Sequence, residues 1–324
     1  MTTKSPLFAL FVLLAAIVTF AAQAQTYPNR PVKLIVPFPP GGGADVLARV
    51  FAQELGRLWS QTLVVENRPG AGGMIGTEVV ARATPDGYTL LHATQAANAV
   101  APTLYAKVPY NAERDFVYVA PLGRQPSVLL AGTKVPAGNL KDLAEVVRAN
   151  KGKISYAGPG IGLSGHLGME MILQAVGMEV LHVPYKGSAP ASQAVVAGET
   201  DLTLDLVSTG SVYVNAGKAK AIAVTGQARS PQLSGTPTFA ELGYADLVIY
   251  TWQGIAVPAG TSKEIIAKLQ SDLQAVKNSP ELRERLPRMG IESFDLSPDE
   301  FGRFVQGESK RWGDVVRRIG IKVE

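Results

Sequence analysis

The sequence predicts an α/β protein of two lobes, each built from a parallel-type sheet flanked by helices. Short apolar runs alternate with amphipathic runs along most of the chain, which is typical of parallel strands joined by helices. This alternation occurs twice as a similar β-α-β-α-β unit, and each unit has a glycine-rich turn directly after its first strand. We therefore expect two lobes of roughly 100 residues or slightly more, with a ligand cleft between them.

The first 24 residues have the features of a cleaved export signal. Lys4 supplies a positive start, the run from Leu7 to Ala22 is apolar, and Ala22-Gln23-Ala24 is a small-residue cleavage site. A membrane anchor is the alternative, but the run is shorter than the roughly 20 residues that span a bilayer. We predict that residues 1–24 are a signal peptide and that the mature protein is exported.

The composition excludes several classes of function. The chain contains no cysteine, which rules out disulfides, thiol catalysis and thiolate metal sites. No two histidines have metal-ligand spacing, and His92 and His182 are expected in or near the core, so we expect neither a metal nor a cofactor. The net charge is +4 and the basic residues are dispersed, which argues against nucleic acid as a partner.

Each unit can be assigned element by element from its periodicity. In the first unit the pattern predicts the strands Val32–Phe38, Leu63–Glu66 and Tyr88–Ala93, and the helices Asp45–Ser60 and Ile75–Arg82. In the second unit it predicts the strands Ile154–Ala157, Val180–Val183 and Leu202–Asp205, and the helices Leu140–Asn150, His166–Val176 and Ala189–Ala197.

The chain is expected to cross between the lobes twice, near Gly123–Val128 and near Tyr250–Gln253. The first lobe then comprises residues 25–125 plus 252–324, and the second lobe comprises residues 126–251. Two C-terminal helices, Lys263–Ser279 and Ser297–Ile319, should return to cover the first lobe.

The turn Pro39–Asp45 is the strongest candidate for a binding site. Its three glycines, Gly41, Gly42 and Gly43, open directly onto a helix, whose unpaired N–H groups and dipole favour an anion. The turn lacks the Lys-Ser/Thr of a P-loop and the spacing of a dinucleotide fold, which favours a carboxylate over a nucleotide. A tight connection with no ligand is the alternative, since glycines serve it equally well.

The ends of other strands should complete the site. Ligands of open α/β sheets lie beyond the carboxyl ends of strands, so Ala93–Ala97, Gly158–His166 and the stretch from Asp205 are expected beside the cleft. The two glycine turns and Ala93–Ala97 contain no Lys or Arg, and Lys186 is the only cation expected nearby. A carboxylate would then be held by backbone N–H groups and the hydroxyls of Thr94 and Ser164, which suits reversible binding more than catalysis.

Several polar positions near the turns allow two interpretations. Asp45 would stabilise its helix start by about 0.5–2 kcal/mol, or could order a water or a ligand ammonium. Asp205 should be buried and must meet a donor, either a backbone N–H or a ligand group. Ser164 and His166 suggest a hydrolase, but His166 stands where a nucleophile elbow requires glycine. We expect Ser164 to be an N-cap, or a hydroxyl that donates a hydrogen bond to an anion in the turn. We expect His166 to be neutral.

The order and spacing of several segments resemble the exported solute receptors of tripartite tricarboxylate transporters, often called Bug-type receptors. The resemblance covers essentially the whole mature chain, and its carriers are Ile35–Gly42 with Asp45, Val65–Gly73, Pro85–Leu90, Ser164 with His166-Leu167, His182–Gly187, and Asp201-Leu202 with Asp205. It implies a periplasmic receptor with a two-lobed, type II-like periplasmic-binding-protein fold that closes on a small organic carboxylate. It also implies delivery to a membrane transporter with one large and one small subunit. We expect a monomer.

Carried over residue by residue, the resemblance places the two helix-opening turns around the carboxylate. The candidate ligand-binding residues are Pro40, Gly41, Gly42, Gly43, Ala44, Asp45, Thr94, Gln95, Gly160, Ile161, Gly162, Ser164, His166 and Asp205. The family usually has polar residues where Ala44, Ala101, Ile161 and Leu163 stand. We therefore expect a more apolar acid, such as an aromatic or branched carboxylate, in preference to a citrate-like or amino-acid ligand. A sensory receptor with the same fold, and a hydrolase using Ser164 and His166, are the rival functions.

Overall fold

The computed structural model describes residues 27–323, so the predicted signal peptide lies outside the described residues. Within that range the chain forms nine strands and ten α-helices. In chain order these are β1 (Val32–Val36), α1 (Gly43–Trp59), β2 (Leu63–Asn67), α2 (Met74–Ala81), β3 (Thr89–Thr94), α3 (Ala101–Leu104), β4 (Phe116–Gly132), α4 (Leu140–Ala149), β5 (Ser155–Gly158), α5 (Ser164–Val176), β6 (Leu181–Pro184), α6 (Ser188–Ala197), β7 (Leu202–Leu206), α7 (Val207–Asn215), β8 (Ala219–Val224), β9 (Tyr250–Pro258), α8 (Lys263–Lys277), α9 (Pro280–Arg288) and α10 (Pro298–Ile319).

The strands form one mixed sheet in the order β2-β1-β3-β9-β4-β7-β5-β6, with β8 paired to β4 beside this path. Each predicted unit contributes three parallel strands, with β1 between β2 and β3, and β5 between β6 and β7. β4 and β9 pair antiparallel with their neighbours. The two parallel groups are therefore joined through antiparallel strands that the local pattern did not predict.

Both connections between the two groups run through β4 and β9. β4 pairs with β9 from Phe116 to Pro126, then with β7 from Ser127 and with β8 from Val128. At this change of partner the guanidinium of Arg124 lies 4.0 Å from the centre of the Tyr250 ring. β4 tolerates two prolines, which have no N–H to donate, through register shifts next to Tyr118 and Pro121.

Helices cover both faces of the sheet and bury its apolar side chains. α1 packs against α8 over the first group of strands and buries Leu47, Phe51 and Leu55. α10 buries Phe301 and Trp312 against the other face. The prediction that the C-terminal helices cover the first lobe is incomplete, because Arg311 of α10 also donates to carbonyl groups in residues 246–248. Within residues 27–323, no helix is both long enough and apolar enough to span a membrane.

Candidate functional site

The sheet topology brings the predicted turns together in two pairs. β1 and β3 are parallel, so the turn Pro39–Asp45 and the residues after Thr94 lie at the same edge of the sheet. β5 and β7 are parallel as well, which places the turn 158–166 beside Asp205 at the corresponding edge of the second group.

The first turn is an open backbone cradle at the start of α1. Pro40, Gly41, Gly42 and Gly43 are exposed, while Ala44 is half-buried against the core below α1. Gly41 has a φ of +81°, a left-handed conformation that favours glycine. Gly42 is the N-cap in an extended conformation, and no side chain caps α1. The first N–H groups of α1 therefore point into this turn without a side-chain acceptor.

Asp45 holds the first turn in place. Its carboxylate accepts hydrogen bonds from the Gly41 N–H at 2.9 Å, from Arg49 at 2.9 Å and from Asn67 at 2.9 Å. Asn67 also donates to the carbonyl oxygen of Phe38, which ties the turn to the end of β2. The hydrogen bond from Arg49 is the main cause that lowers the pKa of Asp45 to about 2. These contacts favour the structural interpretation of Asp45.

The prediction that Lys186 is the only cation near these turns is wrong, because Arg49 ion-pairs with Asp45. The error has a local cause. Arg49 lies outside the turn but four residues after Asp45 on α1, and residues at this spacing meet on the same face of a helix. That spacing is the sequence signal that could have identified Arg49.

Thr94 and Gln95 are buried where β3 ends. The Thr94 N–H donates to the side-chain oxygen of Asn98 at 2.9 Å, and the Thr94 hydroxyl accepts from the Ala97 N–H at 3.4 Å. The Gln95 amide donates to the Tyr250 carbonyl at 3.2 Å. Gln95 therefore links the end of β3 to the crossing strand β9, in addition to lying beside the predicted cleft.

The second turn contains two glycines with positive φ, whereas the first turn contains one. Gly160 and Gly162 have φ values of +138° and +78°, and Ile161 between them is 53% exposed. The prediction that Ser164 is an N-cap is wrong: the Leu163 carbonyl accepts the Leu167 N–H at 3.0 Å, so Ser164 is already the first helical residue. Among residues 27–323 its hydroxyl has no hydrogen-bond partner, which leaves it available to a ligand.

His166 is buried and faces its own turn. Its Nδ1 accepts a hydrogen bond from the Gly162 N–H at 3.2 Å, which requires that Nδ1 carry no proton. Burial, and next to it the neighbouring His182, lower the pKa of His166 to about 4. These findings agree with the prediction of a neutral, hydrogen-bonded imidazole. The hydrogen bond from Gly162 also occupies Nδ1, the nitrogen through which a hydrolase would orient the imidazole.

Asp205 is buried and its donors come from the protein. The Ser192 hydroxyl donates to one carboxylate oxygen at 2.7 Å, and the Leu206 N–H donates to the other at 2.8 Å. Burial raises the pKa of this carboxyl. Ser192 belongs to α6, and no spacing or motif in the chain pairs it with Asp205.

One contact joins the two groups of turns. A δ-methyl group of Leu104, at the end of α3, lies so close to Gly162 that a β-carbon there would come within 2.0 Å. Leu104 is buried and follows β3, whereas Gly162 follows β5. Sequence reasoning missed Leu104, because an apolar residue in a short helix carries no local sign of a long-range contact.

Helices that follow strands of the two parallel groups begin without a side-chain cap. α4, α8, α9 and α10 each have an N-cap side chain that accepts a backbone N–H, from Asn139, Ser262, Ser279 and Ser297. α1, α5 and α7, which follow β1, β5 and β7, have no side-chain cap, and neither do α2, α3 and α6, which follow β2, β3 and β6. A helix without a cap leaves orphan N–H groups for water or a ligand. Of these six uncapped helices, α1 and α5 open from the two candidate turns, Pro39–Asp45 and 158–166.

Comparison with known proteins identifies the family. The model of the tripartite tricarboxylate transporter family receptor matches residues 47–321. Protein BugT of Bordetella pertussis is 34% identical over 325 residues, covering 100% of this chain and 99% of BugT. The periplasmic binding protein BugD has a TM-score of 0.78 at 36% identity, over 92% of this chain and 100% of BugD. R. palustris Rpa4515, solved with adipate, has a TM-score of 0.82 at 33% identity, over 91% and 99%.

These similarities confirm the predicted two-lobed α/β fold and exclude the hydrolase interpretation, since the family consists of solute-binding receptors and not of enzymes. The chain belongs to the receptor family of tripartite tricarboxylate transporters and is a periplasmic solute-binding protein of the Bug type.

Proposed function

We propose that this receptor binds a small organic carboxylate between its lobes, held by the N-termini of α1 and α5. The observation that carries the proposal is that α1 and α5 open without a side-chain cap from the two glycine-rich turns that follow β1 and β5. Four helices away from the turns have their own side-chain caps, whereas α1, α5 and the four other helices that follow strands of the parallel groups have none. The orphan N–H groups and the dipoles of α1 and α5 would satisfy carboxylate oxygens without an arginine.

The proposed ligand shell comprises the first turn (Pro40 to Asp45), Thr94 and Gln95, and the second turn with Ser164, His166 and Asp205. The contacts described above suggest different roles for its members. The exposed glycine backbone and the Ser164 hydroxyl are free to face a ligand. Asp45, His166 and Asp205 already have protein partners, so we infer that they position the shell instead of gripping the carboxylate.

The proposed lobes are residues 25–125 plus 252–324, and residues 126–251. The change of partner along β4, from β9 at Pro126 to β7 at Ser127, supports a hinge at this point. The matching position on β9 is Tyr250, which is stacked under Arg124. We further propose that the receptor acts as a monomer, in which closure of the two lobes encloses the ligand.

The ligand is proposed to be an acid with a largely apolar body. Ala44, Ile161 and Leu163 stand at or near the two turns and offer no side-chain hydrogen bonds. Each polar contact that a citrate-like ligand lacks would cost it about 0.5–1.5 kcal/mol. Each methylene that the ligand buries would contribute about 0.8 kcal/mol. The adipate bound by the similar R. palustris protein has four methylenes, and a ligand of this type fits the expectation.

A thermal-shift screen followed by calorimetry tests this proposal. Adipate, a benzoate-like acid, a branched-chain acid, citrate and glutamate would be compared at pH 7. A ligand at about 100 times its Kd stabilises the protein by roughly 2.7 kcal/mol, which is several degrees of Tm. We expect adipate or one of the two apolar acids to bind most tightly. Tighter binding of citrate or glutamate would disprove the apolar preference, and no shift with any acid would count against a carboxylate receptor.

We also propose that the loaded receptor delivers its ligand to a tripartite tricarboxylate-type transporter with one large and one small membrane subunit. The family description supports this partner. Uptake of the labelled acid into vesicles containing such a transporter should require the receptor. Ligand binding without any uptake, together with ligand-dependent binding to a sensor protein, would favour the sensory alternative.

A further inference from the structure

Three stacked rings lie beneath the second turn. The rings of Tyr156 and His182 are 4.8 Å apart and 15° from parallel, and those of His182 and His166 are 4.5 Å apart and 17° from parallel. Tyr156 comes from β5, His182 from β6 and His166 from α5. The stack therefore joins the strand before the turn, the helix after it and the adjacent strand.

Both imidazoles contact the backbone of the turn. A β-carbon at Gly158, where β5 ends, would come within 2.1 Å of Nε2 of His182, so the ring lies directly on this glycine. Nε2 of His182 is itself buried and has no partner among the described residues. At the other side, Nδ1 of His166 accepts the Gly162 N–H at 3.2 Å. The turn is thus held at two points by neutral rings.

The charged groups around the stack have hydrogen-bond partners other than His166. Glu170, on the same helix, accepts the Tyr156 hydroxyl. Asp205, on β7, is engaged by Ser192 and the Leu206 N–H. Arg318, from α10, donates to Gln174 at the far end of α5. No hydrogen bond or ion pair within residues 27–323 joins a carboxylate to His166, so nothing in that part of the chain would stabilise its charged form.

We propose that His166 is a positioning residue that makes carboxylate binding sensitive to acid. As a neutral acceptor it fixes Gly162, and with it the N–H groups that open α5; once protonated, it releases Gly162 and the turn loses its binding geometry. This inference rests on the proposed function. A protonated Nδ1 would point its N–H at the N–H of Gly162, so the two donors would repel each other. The centre of the charged ring would also lie 4.5 Å from the centre of the His182 ring. Burial also lowers the pKa of His182, so the stack is neutral at pH 7.

Two variants separate the acceptor from the ring. In His166→Asn the side-chain oxygen can accept the Gly162 N–H and does not titrate. In His166→Phe the ring can still stack on His182, but no acceptor remains. The chain has only three histidines, which makes imidazole NMR spectra assignable. Far-UV circular dichroism and unfolding curves would confirm that both variants fold.

The first measurement needs no ligand. We expect Nδ1 of His166 to be unprotonated at pH 7, and the amide resonance of Gly162 to titrate with His166, with a midpoint near its pKa of about 4. In His166→Asn the Gly162 amide should not respond to pH in this range. A Gly162 amide that is unchanged while His166 titrates in the native protein, or a protonated Nδ1 at pH 7, would overturn the inference.

The second measurement is calorimetric titration with adipate from pH 7 to pH 3. Adipate itself protonates in this range, so the quantity of interest is the ratio of native to His166→Asn affinities. A pKa of about 4 predicts a ratio that falls about twofold by pH 4 and about tenfold by pH 3. At pH 7 His166→Phe should bind adipate more weakly than His166→Asn, because only the asparagine side chain can still accept the Gly162 N–H. Parallel loss in the native protein and His166→Asn would contradict the inference. No adipate binding at pH 7 would count against the proposed function, and the amide titration would still decide the role of His166.

Discussion

Leu104, in a helix that follows β3, packs against Gly162 in the turn after β5. Two features of position 162 exclude other residues. Its φ of +78° is left-handed, and a β-carbon would come within 2.0 Å of the Leu104 methyl group. Gly162 is therefore required both for the close packing of Leu104 and for the left-handed backbone of the turn. Mutation can separate these two requirements.

Gly162→Ala is expected to weaken ligand binding by at least tenfold. The new methyl group must displace Leu104 or the turn, and either movement shifts the N–H groups that open α5. Gly152→Ala is the matched control, because Gly152 has a similar φ of +74° and nothing within 4 Å of a β-carbon. Both variants should lose about 1–2 kcal/mol from left-handed strain. Calorimetry with the acid that gives the largest thermal shift would measure the difference; equal affinities would show that the Leu104 contact is irrelevant to binding.

Gly42→Leu should abolish ligand-induced thermal shifts without unfolding the protein. Gly42 has an ordinary φ of −79°, and the atom nearest to a new β-carbon would be the Pro39 carbonyl oxygen at 3.6 Å. The fold should therefore accept a leucine at this position. The leucine side chain would, however, fill the open turn at the start of α1, where the ligand is proposed to bind. Gly138→Leu, at a glycine with nothing within 4 Å of a β-carbon, is the control. A Gly42→Leu protein with native affinity would remove the first turn from the proposed site.

Asp45→Asn should lower stability at neutral pH but not at strongly acidic pH. The carboxylate of Asp45 gains partners on folding, which lowers its pKa to about 2 from the ordinary value of 3.8. A lowered pKa gives stability that is present above pH 3.8 and is lost as the pH falls through about 2. Weakening charge-assisted hydrogen bonds of this kind costs roughly 1.5–3 kcal/mol.

Chemical unfolding of the native protein and Asp45→Asn between pH 6 and pH 2 would measure this effect. The gap in unfolding free energy should be largest near pH 6 and should close toward pH 2. A gap that is constant over this range would mean that the ionised carboxylate contributes nothing specific to the first turn.

The regular elements were predictable because their signals are local. Every strand and helix of the two predicted units has its ends within two residues of the prediction, as for α1 at Gly43–Trp59. β4 was not predicted beyond a crossing near Gly123–Val128. Its Pro121, Gly123 and Pro126 break the local strand pattern, and only pairing with the distant β9, with register shifts, accommodates them.

The candidate site divides in the same way. The glycine turns were visible in the sequence because a turn that opens a helix has a compact local signature. The partners that hold those turns come from elsewhere: Asn67 lies 22 positions after Asp45, and Leu104 lies far from Gly162 in the chain. Only tertiary packing brings such pairs together, so no spacing rule could have named them.

Two glycines of α10 predict opposite effects of the same substitution. Gly307 is exposed and nothing lies within 4 Å of a β-carbon, so Gly307→Ala should raise the unfolding free energy by about 0.5–1 kcal/mol through helix propensity alone. At Gly313 the same methyl group would come within 2.8 Å of the Thr103 hydroxyl, and the resulting strain should offset that gain or exceed it. Urea unfolding of both variants would measure the difference. Equal stabilisation by both changes would mean that α10 is not packed tightly against α3 at Gly313.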